Sequence, residues 1–88
     1  MSERFYLYDE TEQTKTRFVS FLGEKERLDL AITFTSRYYG KLIVLNMQTN
    51  RHAIIGKDDL EEPGYIEYAF QLNEDDAEAL TNFLYELF

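Results

Sequence analysis

Leu28-Asp29-Leu30-Ala31-Ile32-Thr33-Phe34-Thr35 is the stretch that decides the architecture. Leu28, Leu30, Ile32 and Phe34 fall on one side of an extended chain. Asp29, Ala31, Thr33 and Thr35 fall on the other. A period of two marks a strand with one buried face. Upstream, Gly23-Glu24-Lys25-Glu26 has the composition of a hairpin connection. Thr14 to Leu22 before it reads as another strand, with Arg17, Val19 and Phe21 on one face and Phe18, Ser20 and Leu22 on the other. Downstream, Ser36 to Gly40 turns, and Lys41 to Met47 is apolar on both faces, as a central strand is. Gln48 to Asn50 turns again, and Arg51 to Ile55 is a further strand ending at Gly56. At the two ends of this series, aromatic Phe5 to Tyr8 reads as a first strand. Ile66, Tyr68, Phe70 and Leu72, alternating with Tyr65, Glu67, Ala69 and Gln71, read as a sixth.

The last segment changes period. Ala77, Leu80, Phe83, Leu84, Leu87 and Phe88 project onto one arc of a helix, with Glu74, Asp75, Glu78, Asn82 and Glu86 outside it. Asn73 is a good N-cap with Asp76 three residues on, and three acids in the first turn suit the positive end of the helix dipole. Strands joined by short turns pair antiparallel, since a parallel crossover needs a dozen residues or more. The expected fold is therefore α+β: a curved antiparallel sheet of five to six strands with one C-terminal amphipathic helix packed on it. A partly open barrel plugged by that helix is the close variant. The 88 residues make one domain, 1–88.

Composition narrows the class. The chain is 44% hydrophobic and carries seven Phe and seven Tyr, too many aromatics for a disordered acidic chain. It has no Cys, hence no disulfide framework or thiolate site. No basic, then apolar, leader opens it, and no window has the 18 apolar residues of a membrane span. The sequence pI near 4.5 disfavours nucleic acid backbones and anionic lipid. These features point to a cytoplasmic protein with no direct nucleic acid or membrane partner.

The formal net charge of −8 is unevenly placed. After Lys57 there is no further Lys or Arg, while residues 58–88 hold ten acids. Helix capping accounts for Glu74, Asp75 and Asp76, and exposed faces account for Glu67, Glu78 and Glu86. The run Asp58, Asp59, Glu61 and Glu62 has no such local account and is the first candidate site, a partner-binding loop within Lys57 to Gly64. Its oxygen ligands suit Ca²⁺ or Mg²⁺, but the spacing is not that of an EF-hand loop, so no metal ligand is assigned and weak divalent-metal binding stays as an alternative. Acids of this run, of Glu67 and of the helix would form one negative surface, which raises the alternative of an acidic mimic of nucleic acid. Arg37, Tyr38 and Tyr39 form the second candidate, since Arg and Tyr are favoured interface anchors. His52 is the single histidine, and Ser2, Ser20 and Ser36 lie in no nucleophile motif. No P-loop, dinucleotide fingerprint or zinc-protease motif occurs. No catalytic residue and no cofactor is assigned, and the reading leans to a non-enzyme.

Three stretches taken together resemble a known family: Met1 to Glu12, Arg37 to Leu45, and Ala53 to Tyr68. It is a family of short cytosolic Firmicute proteins classed as a domain of unknown function. The resemblance implies a bacterial, cytosolic origin and carries over no site residue. The function expected is a protein-interaction or regulatory module with an acidic surface, working on a protein partner or on itself as a homodimer. A small ligand-binding or catalytic domain, with a pocket between sheet and helix using His52 or Arg17, is the rival.

Overall fold

The computed structural model describes residues 3–88, and its centre is the strand that the alternation marked. Four strands form one antiparallel sheet in sequential order: β1 (Lys15–Leu22), β2 (Arg27–Phe34), β3 (Leu42–Asn46) and β4 (Arg51–Ile55). Three helices follow, α1 (Lys57–Leu60), α2 (Tyr65–Phe70) and α3 (Glu74–Tyr85). Register places Val19, Leu30 and Asn46 in one row, and Arg17, Ile32, Val44 and Ala53 in the next. Side chains in a row share a face. On this inner face Leu28, Leu30, Ile32, Leu42, Val44 and Ile55 are buried against Leu60, Ile66, Phe70, Ala77, Leu80 and Leu84 of the helices. The α+β class and the antiparallel meander are therefore as expected. No helix is long and apolar enough to cross a membrane among the described residues.

Two expected strands and the single-helix layer are corrected. Residues 3–14 contain no strand, and Phe5 to Tyr8 are exposed. Aromatic content favours strands only where the segment pairs with a sheet edge and buries a face, and this segment pairs with neither edge of the sheet and stays exposed. The sixth strand is instead α2. Ile66 and Phe70, four residues apart, are buried, while Tyr68 between them is 77% exposed. That is helical spacing, and Gly64 before it (φ 77°) and Gln71 after it (φ 54°) bend the chain in and out of a short helix. Among the described residues the sheet thus has four strands and stays open, with no barrel closure.

The C-terminal helix begins as read: Asn73 Oδ1 accepts from the Asp76 N–H at 2.9 Å. Asp76 does more than sit in a first turn. Its side chain has no exposed surface, and Oδ1 accepts the Lys25 N–H at 2.9 Å while Oδ2 accepts from Asn73 Nδ2 at 2.9 Å. It therefore ties the β1–β2 turn to the start of α3. Donation from the Lys25 backbone first, then from Asn73 and the backbone of Glu26 and Glu24, holds its carboxyl below the ordinary value near 3.8, against the effect of burial. Gly23 closes that turn by donating to Glu26 O at 2.8 Å. A Cβ there would lie 2.5 Å from Asp76 Oδ1, so the close approach requires glycine. Among the described residues no buried side-chain polar atom lacks a partner.

Candidate functional site

The run Asp58 to Glu62 is one turn of helix and its exit rather than a loop. Gly56 precedes α1, and Asp59 turns back so that Oδ2 accepts the Gly56 N–H at 2.7 Å and meets Lys41 Nζ at 3.4 Å. Asp59 is therefore a helix-start residue, and Leu60 beside it is a core residue. The expected cluster of four equivalent carboxylates is split. Asp58 is exposed on α1, Asp59 faces inward, and Glu61 and Glu62 carry on to a different surface.

That surface is a groove of about 400 Å³ between the α1–α2 connection and the first half of α3. Glu61, Glu62, Glu67, Glu74, Asp75 and Glu78 line it, over a floor that includes Leu60, Ile66 and Ala77. No Lys, Arg or His is among its lining residues. Like charges around a concave, low-dielectric wall add their fields, which draws cations and basic segments toward the opening. The carboxylates are spread along the walls. Among the described residues no three His, Cys, Asp or Glu are grouped so as to hold a metal ion. The geometry suits an extended basic chain better than a point cation. Glu74, Asp75 and Glu78 looked in sequence like ordinary helix acids; only the packing of α3 beside Pro63 and Gly64 brings them to Glu61 and Glu62.

The second candidate lies elsewhere and shares no lining residue with the groove. Ser36–Tyr38 is a single three-ten turn whose start is fixed by the Thr35 hydroxyl accepting the Arg37 N–H at 3.1 Å. Arg37 pairs with Glu10 at 2.8 Å, and its Cζ stacks 4.7 Å from the Tyr8 ring centroid. Glu12 accepts from the hydroxyls of Thr35 and Ser36. The turn is thus the mooring of the N-terminal arm, which sequence reading placed as a strand. Tyr38 is half-buried, and Tyr39 is 97% exposed with φ 52°. A left-handed conformation costs a residue other than glycine roughly 1–2 kcal/mol. Tyr39→Gly is accordingly expected to raise stability by about 0.5 kcal/mol after the added freedom of the unfolded chain is counted, read as a higher thermal midpoint.

The residues of the rival reading do not meet. Arg17 lies over the Phe83 ring, Cζ 5.5 Å from its centroid. His52 is exposed beside a shallow groove bordered by Asn50, Arg51 and Ala69, and no carboxylate lines that groove. Between the sheet and the helices the space is taken by Leu30, Ile32, Val44, Ile55, Phe70, Leu80 and Leu84, all fully buried.

These features define a two-layer α+β protein, an open four-stranded meander with helices on one face and an acidic groove among the helices. The chain belongs to the SAV0927-like family, whose model matches residues 7–86. Nothing among curated proteins matches it. Residues Met1 and Ser2, which opened the first of the three resembling stretches, lie outside the described residues.

Proposed function

We propose that the protein is a non-enzymatic interaction module of the bacterial cytoplasm, which seats a basic segment of a partner protein in the acidic groove. One observation carries this: six carboxylates from α2, α3 and the α1–α2 connection border one groove whose lining holds no cation. An apolar floor beneath acidic walls fits a segment that alternates Lys or Arg with an aliphatic residue. Charge would steer the encounter and set partner choice.

The test is titration of a fluorescent Lys/Leu-alternating peptide at low salt. Exposed charge pairs contribute up to about 1 kcal/mol each, so reversing Glu61, Glu62 and Glu74 to Lys should weaken binding roughly 30-fold or more. Wild-type binding should also fall as salt rises. Asp59 is left intact because it starts α1. Equal affinity in the triple variant, or no binding by the wild type, would overturn the proposal.

A further inference from the structure

The acidic groove is on the helical side. The other side of the sheet has its own features. Register puts Phe18, Ala31, Leu45 and His52 in one row of that outer face, and Thr16, Thr33, Ile43 and Ile54 in the next. The buried cluster joins the helices to the opposite face only. Phe18 on β1 is 71% exposed, and Ile54, on the opposite edge strand β4 and one row along, is also open to solvent. Exposed apolar patches with a polar rim mark interaction surfaces. Here the rim is the Ser20, Arg27 and Asp29 cluster, in which Arg27 Nε meets Asp29 at 2.9 Å. Asp29 is the one acid among the paired residues of this face. On a chain of net charge −8, this is the surface that a second copy approaches with least repulsion.

The same chain carries a segment that fits it. Phe5 is 90% and Leu7 98% exposed. Phe5 and Leu7 are both open to solvent on an arm that bends at Leu7, while Tyr8, next in the chain, rests under Arg37. The arm is moored at Glu10 and Glu12 and stands off the core. The radius of gyration is 15.0 Å and the longest extent 48 Å, against about 12 Å for the radius of a compact chain of this length. The four strands of the outer face span about 14 Å from first to last.

We propose that two copies exchange arms, Phe5 and Leu7 of each lying on the Phe18, Leu45 and Ile54 strip of the other. Reciprocal docking of both arms would bury roughly 1,400 Å² in total, counting arm and acceptor, within the range of stable specific interfaces. The proposal stands on the arm and the sheet alone. A failed peptide titration at the groove leaves it untouched.

The experiment uses the absence of cysteine in the chain. Leu7→Cys and Phe18→Cys are made as separate single variants and mixed under mild oxidation. A disulfide joining one chain of each kind is expected. In parallel, sedimentation equilibrium of the wild type should show a dimer at tens of micromolar, and Phe5→Ser with Leu7→Ser should raise its dissociation constant roughly 100-fold or more. The double change should leave the thermal midpoint of the monomer in place, because neither side chain packs on its own core. A monomeric wild type would overturn the proposal, as would a dimer indifferent to the arm changes. So would a chain carrying both cysteines that closes the bond only within itself, which would show the arm covering its own sheet.

Discussion

Asp76→Ala is expected to destabilise the fold by about 3 kcal/mol, which for a chain of this length lowers the thermal midpoint by roughly 12–24 °C. The carboxylate is fully buried and accepts from the Lys25 backbone and from Asn73. Removing it takes the acceptor from the part-buried Lys25 N–H and Asn73 Nδ2 and cuts the tie between the turn and α3, and a donor left unsatisfied away from water is more damaging than a lost exposed contact. Asp76→Asn keeps an acceptor and loses the charge, so a smaller loss is expected. The pH dependence separates the two effects. The native carboxyl titrates below its ordinary value, so the unfolded state takes up its proton first as pH falls. The stabilisation is complete above about pH 4 to 5 and is lost as pH drops through the lower native value. Urea melts of wild type and Asp76→Asn at pH 7, 5 and 3 should therefore show a gap that holds from pH 7 to 5 and narrows by pH 3. A constant gap would mean that the residue acts through shape alone.

Asp76 also shows what a sequence can and cannot disclose. Its place three residues after Asn73 reads as a relative of the capping box; the N-cap half is present, the Asp76 N–H donating to Asn73 Oδ1, while its carboxylate bonds Asn73 Nδ2 and the Lys25 N–H instead of the Asn73 backbone. Its second role needs the Gly23–Glu26 turn to come against the helix start, across a separation of 51 residues to Lys25. No local pattern encodes that meeting, although Gly23 in the hairpin connection is its one trace. The four strands of the meander were legible because each carries apolar residues at alternating positions, most regularly in β2, with short polar turns between. The acidic groove was half legible. The concentration of acids after Lys57 was plain, and a joint surface of loop and helix acids was foreseeable. Reading the Asp58 to Glu62 run as one loop was not sound, because helix start and core burial divide Asp59 and Leu60 from Glu61 and Glu62. The arm misled for a physical reason: Phe5 to Tyr8 have the composition of a strand, but the segment is held by side chains at the Ser36–Tyr38 turn and lies along neither free edge of the sheet.

The second large effect follows from the segment that changed type. Phe70→Ala is expected to cost about 4 kcal/mol, and Tyr68→Ala no more than about 0.5 kcal/mol. A strand over Tyr65 to Leu72 would set Ile66, Tyr68, Phe70 and Leu72 on one buried face, and the two truncations would then be similarly damaging. The helix sets Ile66 and Phe70 together, one turn apart, and rotates Tyr68 to solvent. Alternation over eight residues with four large apolar side chains satisfies both periods at Ile66 and Phe70, since two steps of two equal one step of four. The deciding signals were at the ends. Pro63-Gly64 precedes the segment, and Gly64 enters with a positive φ, while Gln71 leaves in the left-handed conformation that commonly closes a helix. Equilibrium urea unfolding of the two variants reads the difference directly, since a well-folded Tyr68→Ala beside a badly destabilised Phe70→Ala is the signature of the helix. Phe70 also sits under α3 and β4 in the shared core. Its loss should loosen the α2 wall of the groove, and Phe70→Ala should weaken the Lys/Leu peptide even at temperatures where the variant remains folded.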